Sequence, residues 1–173
     1  MISEQMLQAN RQLHSNPEYG RRGGRWAFTI SDIMKRGKCE SVLDYGCGKG
    51  GLKKALPDAD VREYDPAIEG KDDLPGRADL ILCADVLEHV EPEYLDSVLH
   101  HIHWLAKKYV MLSSNTMPAE KTLPDGRNAH LIVQPHSWWR DKFLERFEML
   151  QEDTRGTNYT FFGKPRSLSL DVH

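Results

Sequence analysis

One segment constrains the fold of this chain more than any other. It comprises residues 42–51, with the sequence VLDYGCGKGG, in which a short apolar run breaks into a turn with glycines at 46, 48 and 51. Glycine lets the backbone turn tightly and approach a ligand closely, and a following helix presents unpaired N–H groups at its N-terminus. The segment therefore predicts a buried strand that leads into a nucleotide-binding loop and then a helix.

Two acidic residues distinguish this turn from that of dinucleotide-binding proteins. Asp44 lies two residues before the first glycine, and Asp65 ends the next apolar-alternating run, residues 60–65. Dinucleotide sites have a small apolar residue at the position of Asp44 and carry the acid for the ribose about 20 residues further on. An acid at both positions instead resembles the class I S-adenosylmethionine (SAM)-dependent methyltransferases.

The resemblance implies roles for the matching residues. In that family the first acid lies near the amino acid part of SAM, the glycines let the cofactor pass over the loop, and the second acid binds the ribose hydroxyls. A third segment, residues 79–90, resembles the family's fourth strand and the residues just past its carboxyl end. The cofactor-binding residues implied by the three segments are Asp44, Tyr45, Gly46, Cys47, Gly48, Asp65, Pro66, Ala84, Asp85 and Val86.

The periodicity of the chain alternates between helix and strand, as an α/β sheet requires. Helices are predicted after the capping residue Ser3, over 26–37, 50–56 and 91–106, and from near Ser137, the last burying Trp139, Phe143 and Phe147. Strands are predicted at 41–45, 60–64, 79–84 and 108–113, followed by an antiparallel hairpin near 147–152 and 157–162. Only 13 residues separate Asp65 from Asp79, where a fuller family member has another strand and helix. The prediction is an α/β, single-domain, Rossmann-like class I methyltransferase sandwich, trimmed between the second and fourth strands.

One domain is predicted to span residues 1–173. Residues 1–23 are predicted to form an N-terminal cap in which Tyr19 closes over SAM, because a short chain has few other elements to cover the pocket. Trp26 either helps to cover SAM or only packs in the core. Residues 163–173 have little apolar content and are predicted to be a mobile tail.

Composition and cysteine spacing limit where the protein can be located and what it can contact. No apolar run approaches the ~20 residues of a membrane span, and residues 1–5 lack the basic-then-apolar pattern of a secretory signal. Cys39, Cys47 and Cys83 lack CxxC spacing, which indicates reduced thiols. We therefore predict a cytoplasmic protein without membrane contact. No pattern predicts an oligomeric state.

A narrower resemblance suggests a metal. Residues 85–89, DVLEH, resemble the acid-x-x-Glu-His pattern of the O-methyltransferases of ubiquinone synthesis and the small-RNA terminal 2′-O-methyltransferases. In the latter a further His in a later loop completes the metal site, and His130 falls in a comparable place. The resemblance implies that Glu88, His89 and His130 bind Mg²⁺, Mn²⁺ or Zn²⁺, which would lower the pKa of an acceptor hydroxyl. Many methyltransferases with Glu-His at this position bind no metal, so His89 and His130 are also candidates for a metal-free base or pocket wall.

The loop at residues 123–130, LPDGRNAH, combines a Pro-Asp-Gly turn with donors and acceptors. Loops above a rigid sheet commonly carry function. Asn128 and His130 are predicted to contact the acceptor, because the apolar residues 131–133 anchor them, whereas Arg127 either binds an acceptor anion or is solvated. The catalytic candidates are His89, Asn128 and His130.

The predicted reaction is O-methylation of a small molecule, with or without a metal. The alternatives are a 2′-O-methyltransferase or another enzyme acting on a nucleotide or RNA end, N-methylation of a small amine, and a non-catalytic SAM-binding protein. A net charge of -3 argues against a large nucleic-acid footprint, although Arg21, Arg22 and Arg25 form a local basic cluster that either holds a phosphate or is a solvated loop. Amino-methylating DNA enzymes are excluded, because residues 84–87 read ADVL rather than Asp/Asn-Pro-Pro-Tyr/Phe.

Overall fold

The computed structural model describes residues 2–17 and 19–167, and a six-stranded sheet forms its centre. The strands are β1 (Ser41–Tyr45), β2 (Asp60–Tyr64), β3 (Ala78–Ala84), β4 (Ala106–Asn115), β5 (Phe147–Arg155) and β6 (Asn158–Pro165). Their spatial order is β2-β1-β3-β4-β6-β5. The first four strands are parallel, and β6 runs antiparallel to both β4 and β5. This confirms the predicted sheet and its closing antiparallel hairpin.

Five α-helices accompany the sheet in the described residues. They are α1 (Glu4–His14), α2 (Ala27–Gly37), α3 (Gly51–Ala55), α4 (Leu95–Leu105) and α5 (His136–Leu144). As predicted, Ser3 caps α1, and its hydroxyl oxygen accepts a 3.1 Å hydrogen bond from the backbone N–H of Met6. None of the helices in the described ranges combines the length and the apolar character needed to cross a bilayer.

Both faces of the central strands are buried, because helices cover each side of the sheet. Val42 of β1 packs in one apolar cluster with Ile30 of α2, whereas the next residue, Leu43, packs in the other with Leu99 and Ile102 of α4. This alternation follows from the period of two along a strand. It explains why β1 and β3 are almost continuously apolar in sequence.

The order of the strands places the expected ligand site. β1 lies between β2 and β3, so the connections that leave β1 and β2 run to opposite sides of β1. In open α/β sheets, ligands bind beyond the carboxyl ends of the strands at such a switch in strand order. The end of β1 carries Asp44 and Tyr45, and the end of β3 carries Ala84. As predicted, residues 65–77 connect β2 to β3 without another strand or helix.

Three boundaries differ from the predictions. Phe147 is buried, but it begins β5 rather than belonging to the last helix, which ends at Leu144. β4 begins at Ala106 and ends at Asn115, so it is longer at both ends than the strand predicted at 108–113. The predicted tail from Gly163 begins within β6, which runs to Pro165 and pairs Gly163 with Val110. Pairing with β4 overrides the low apolar content there; residues 168–173 lie outside the described residues.

Candidate functional site

A cavity of about 620 Å³ lies beyond the carboxyl ends of β1 and β3. Its volume falls within the range of small-molecule and cofactor sites. The sequence-predicted cofactor residues all line it, as do the three predicted metal ligands: Tyr19, Asp44, Tyr45, Gly46, Cys47, Gly48, Asp65, Pro66, Ala84, Asp85, Val86, Glu88, His89 and His130. The structure therefore brings these residues together, while their contact with a cofactor remains a prediction.

Two glycines of the turn are required by the protein's own packing. Gly46 and Gly48 have φ angles of 77° and 52°, in the left-handed region that favours glycine. A Cβ on Gly46 would lie 2.4 Å from a methyl carbon of Val86, and one on Gly48 would lie 2.5 Å from the carbonyl oxygen of Gly20. The turn is thus pressed against the segment after β3 and against the N-terminal segment.

Asp44 is a buried carboxyl group at the end of β1. Its side chain lines the cavity, and no polar group of the described residues hydrogen-bonds its Oδ2 atom. Burial raises the pKa of Asp44 to about 7, repulsion from Glu63 adds to this effect, and the cation of Lys71 opposes it. A ligand cation placed beside Asp44 would stabilise its charged form.

Asp65 follows β2 and is also buried. Its Oδ2 atom accepts a hydrogen bond from the backbone N–H of Gly48 (3.0 Å), and its Oδ1 atom accepts one from Ala67 (3.0 Å). The Nε2 atom of His14, the last residue of α1, lies 3.8 Å from Oδ2. Two backbone groups therefore hold the carboxylate in place at the cavity wall.

The N-terminal segment packs directly on the glycine turn. The backbone N–H of Lys49 donates a 2.8 Å hydrogen bond to the carbonyl of Gly20. The Tyr19 ring stands edge-on to the His14 ring, with 5.0 Å between centroids, and the Lys121 ammonium group lies 4.8 Å from the Tyr19 centroid. This placement supports the predicted role of residues 1–23 as a cap, which stays a prediction.

Asp85 occupies an unusual backbone conformation just past β3. Its φ angle is 58°, and its backbone N–H donates a 3.2 Å hydrogen bond to the Ser113 hydroxyl oxygen. Its carboxylate forms an ion pair with the Arg25 guanidinium group. Non-glycine residues held at positive φ often occur at functional sites. This ion pair therefore occupies Arg25, one of the three arginines of the basic cluster noted in the sequence.

Glu88, His89 and His130 converge in the same cavity. One potential ligand atom from each residue lies within 4.8 Å of those of the other two. The Glu88 side chain is almost fully buried, and its Oε1 atom accepts a 3.1 Å hydrogen bond from the backbone N–H of Asn115. Its Oε2 atom has no partner among the described residues. Burial raises the pKa of Glu88 to about 8.

Both imidazoles are oriented by backbone carbonyls. The Nδ1 atom of His89 lies 2.8 Å from the Ala129 carbonyl oxygen, and that of His130 lies 2.5 Å from the Met117 carbonyl oxygen. Because a carbonyl only accepts, each Nδ1 carries the proton and each neutral ring keeps a lone pair on Nε2. Burial, together with the neighbouring His130, lowers the pKa of His89 to about 4.

Asn128 is not among the residues that line the cavity, so its predicted catalytic contact with the acceptor stays a prediction. Its Oδ1 atom accepts hydrogen bonds from the backbone N–H groups of Ala119 and His130 (2.9 Å each), and its Nδ2 donates to the Ala119 carbonyl (2.8 Å). These backbone contacts use the amide to close the loop. Arg127 pairs with Asp125 two residues away, as in a solvated turn.

Several cavity residues had no signal in the local sequence. His14 lies far along the chain from the motifs and reaches the cavity only through tertiary packing. Another part of the wall is lined by Asn115 at the end of β4, Asn158 at the start of β6 and Thr157 in the turn before it. The sequence predicted β4 to end at Ser113, so Asn115 was assigned to a loop.

No protein-family model matches this chain, and no curated protein matches it significantly. Several solved structures do match this chain. Magnesium protoporphyrin IX methyltransferase from Synechocystis PCC 6803, with bound S-adenosylhomocysteine (SAH), aligns with a TM-score of 0.57 at 19% identity, over 91% of this chain and 84% of that chain. The Burkholderia thailandensis 1,6-didemethyltoxoflavin-N1-methyltransferase, with its acceptor and SAH, aligns with a TM-score of 0.66 at 15% identity, over 92% and 88%.

A third match is the N-terminal domain of EvdMO1 in the presence of SAH and D-fucose, with a TM-score of 0.54 at 16% identity, over 86% of this chain and 85% of that chain. At such low identities the likeness concerns the fold. The chain has the Rossmann-like fold found in these methyltransferases, which confirms the predicted fold class.

Proposed function

We propose that this chain is a SAM-dependent methyltransferase that methylates a hydroxyl group of a small molecule with the help of a divalent metal. The observation that carries the proposal is the convergence of Glu88, His89 and His130 in the same cavity as Asp44 and Asp65. The two acids suit a cofactor with a cationic group and a ribose. The other three residues suit a metal beside an acceptor hydroxyl.

The cofactor half rests on the two buried acids. Asp44 offers an unpartnered carboxylate oxygen to the ammonium group of the SAM amino acid part. Asp65, fixed by the backbone of Gly48 and Ala67, offers its remaining lone pairs to the ribose hydroxyls. The solved structures with this fold support the assignment, since those described above contain SAH.

The donor groups fit a divalent ion. Glu88 contributes a buried oxygen without a described partner, and His89 and His130 each direct Nδ1–H at a backbone carbonyl, which leaves Nε2 for the metal. Metal-binding imidazoles commonly have such a carbonyl partner on the other nitrogen. A mixed oxygen and nitrogen set with three protein ligands keeps positions open for an acceptor and suits Mg²⁺, Mn²⁺ or Zn²⁺.

In the transfer, the acceptor oxygen forms a bond to the methyl carbon while the methyl–sulfur bond breaks, and the hydroxyl proton leaves. A bound divalent ion lowers the pKa of a hydroxyl that it contacts. The chain itself positions the two reactants in line, and effective molarities of roughly 10⁵–10⁸ M are typical of such positioning. Without a metal, an unprotonated Nε2 of His89 or His130 would accept the hydroxyl proton.

The acceptor is proposed to be a small molecule rather than a nucleic acid. Of the four Lys and Arg residues that line the cavity, Arg25 and Lys121 already contact Asp85 and Tyr19, and the chain carries a net charge of -3. Two of the matched structures hold 1,6-didemethyltoxoflavin or were determined with D-fucose, which supports a small acceptor. The three free thiols support the expected location in a reducing compartment such as the cytoplasm.

The test is a panel of hydroxyl, amine and ribonucleotide-end acceptors incubated with the protein and SAM labelled at its methyl group. Label should pass to a small hydroxyl compound, stop in EDTA and resume when Mg²⁺, Mn²⁺ or Zn²⁺ is added. Transfer to an amine, or full turnover in EDTA, would contradict the metal-assisted O-methylation. Absence of SAM binding would contradict the whole proposal.

A further inference from the structure

The ring of His14 faces Asp65 across a gap. Its Nε2 atom is 3.8 Å from the carboxylate Oδ2 atom, which is too long for a direct hydrogen bond. Both side chains are largely buried and both line the cavity. A polar contact at this separation is the kind that a third group bridges. A hydroxyl oxygen placed at ordinary hydrogen-bond distance from both atoms fits this gap.

Asp65 has one acceptor position left on each oxygen. A carboxylate oxygen accepts two hydrogen bonds, and the backbone N–H groups of Gly48 and Ala67 each use one. The two remaining positions match the two hydroxyl donors of a vicinal diol. His14 stands beside the remaining acceptor position on Oδ2.

The protonation of His14 suits a donor role. Burial lowers the pKa of His14, while the Asp65 carboxylate opposes this effect, so the ring is neutral near pH 7. Its buried Nδ1 atom pairs with nothing in the described part of the chain. An unpaired lone pair costs less than an unpaired N–H group. The favoured tautomer therefore carries its proton on Nε2, which faces Asp65.

The position of His14 is fixed from several sides. At the start of α1, the backbone N–H and the hydroxyl of Ser3 donate to the Glu91 carboxylate, at 2.9 and 2.6 Å. At its end, the Lys49 ammonium group donates to the His14 carbonyl, and the Tyr19 ring stands against the imidazole. His14 is thus held beside Asp65 by contacts that do not depend on a ligand.

We propose that His14 and Asp65 together form a clamp for the vicinal diol of the cofactor ribose. One hydroxyl donates to Asp65 Oδ2 and accepts from His14 Nε2–H, and the other donates to Asp65 Oδ1. The inference rests on the proposed SAM site and adds to it a residue from outside the three motifs.

The test measures binding of SAH and of its 2′-deoxy and 3′-deoxy analogues by calorimetry, for the wild-type protein and for His14→Phe. Phenylalanine keeps an aromatic ring against Tyr19 but removes both nitrogens. We expect His14→Phe to weaken SAH binding about 3–10-fold, the effect of one hydrogen bond, and to have no further effect on the analogue that lacks the bridging hydroxyl. His14→Gln, whose amide can place a donor near the same point, should restore part of the affinity.

Arg11→Ala, an exposed change on the same helix, is the matched control and should bind all three ligands as the wild type does. If thermal melting shows that His14→Phe does not fold, His14→Leu and His14→Gln provide the same comparison. Equal weakening of all three ligands, or no weakening, would overturn the clamp while leaving the SAM site intact. Failure of the wild-type protein to bind SAH would overturn both.

Discussion

The imidazole of His89 stands nearly perpendicular to that of His130, with ring centroids 4.8 Å apart and an interplanar angle of 78°. His89 lies in the short turn Leu87–His89 after β3, and His130 lies in the loop before α5. Each ring donates from Nδ1 to a backbone carbonyl of the loop at 117–129. The loop therefore fixes the orientation of both rings, so changes in the loop should alter metal affinity at the proposed site.

The first prediction concerns metal binding. His130→Ala removes one of three ligands and should weaken Mn²⁺ binding by more than about tenfold, a loss that even changes beyond the direct ligands can cause. SAH affinity should remain unchanged, since His130 lies outside the cofactor motifs. Calorimetry with Mn²⁺ and with SAH gives both values, and anomalous scattering from Mn²⁺-soaked crystals locates the ion.

His100→Ala is the control for that experiment, because His100 is exposed on α4 and does not line the cavity. Both proteins should fold equally well. If Mn²⁺ binds wild type and His130→Ala alike, or binds away from Glu88, the metal site is wrong and His89 and His130 remain as metal-free base or pocket wall.

The second prediction follows from the raised pKa of Asp44. Below its pKa of about 7 the carboxyl is neutral, and above it the carboxylate attracts the ligand ammonium group. SAH affinity should therefore rise as the pH increases from about 6 to 8 and then level off. Asp44→Asn should bind more weakly at pH 8 and show no such rise. A rise of equal size in the variant would assign the titration to another group.

The same shift predicts the sign of a stability change. The folded-state pKa of Asp44 is raised from 3.8 to about 7, so folding favours the protonated form. Its contribution to the free energy of unfolding is complete below pH 3.8 and is lost as the pH rises through 7. In the ligand-free protein, Asp44→Asn should therefore become more stable relative to wild type as the pH increases from 5 to 8. Urea titrations at several pH values measure this difference.

The third prediction tests the ribose acid. Asp65→Asn keeps the shape of the side chain but loses the charge and two of its acceptor positions. Hydrogen bonds to a charged group contribute about 1.5–3 kcal/mol each, so SAH affinity should fall at least about tenfold. Glu69→Gln is the control, because this carboxylate on the same connection after β2 is exposed and does not line the cavity. Equal losses in both variants would indicate a general effect of charge.

The fourth prediction separates support of the loop from contact with the acceptor. Asn128→Ala removes the amide contacts to Ala119 and His130 and should lower the free energy of unfolding by about 1–3 kcal/mol. It should also weaken Mn²⁺ binding through His130 while leaving SAH affinity intact. Arg127→Ala, at an exposed position of the same loop, should do neither. Unchanged stability and metal affinity with slow turnover would instead return Asn128 to the acceptor site.

The sequence predicted those parts of the fold that depend on local patterns. The apolar run of β1, the glycine turn and the helical spacing of α4 are each encoded within a few residues, because periodicity and turn chemistry act locally. Phe147 shows the limit of this reasoning. A buried aromatic residue satisfies a helix or a strand equally well, and pairing with β6 decides between them.

The sequence likewise predicted those parts of the site that depend on local motifs. The motif residues line one cavity, since the carboxyl ends of parallel strands meet at one edge of the sheet. The contacts of Asn128 with the loop backbone were not predicted, because a polar residue in a loop has the same sequence signature whether its amide faces a ligand or the loop's own backbone. The pairing of Arg25 with Asp85 depends on how the N-terminal segment crosses the sheet, which no local pattern encodes.

The first helix touches both halves of the cavity. Met6 is buried in one apolar cluster with Leu123 and Ala129 of the loop at 117–129, while His14, at the other end of the helix, lies against Asp65. The helix between these points has eleven residues and is roughly 16 Å long. A substitution that displaces this helix would therefore disturb both ends of the cavity at once.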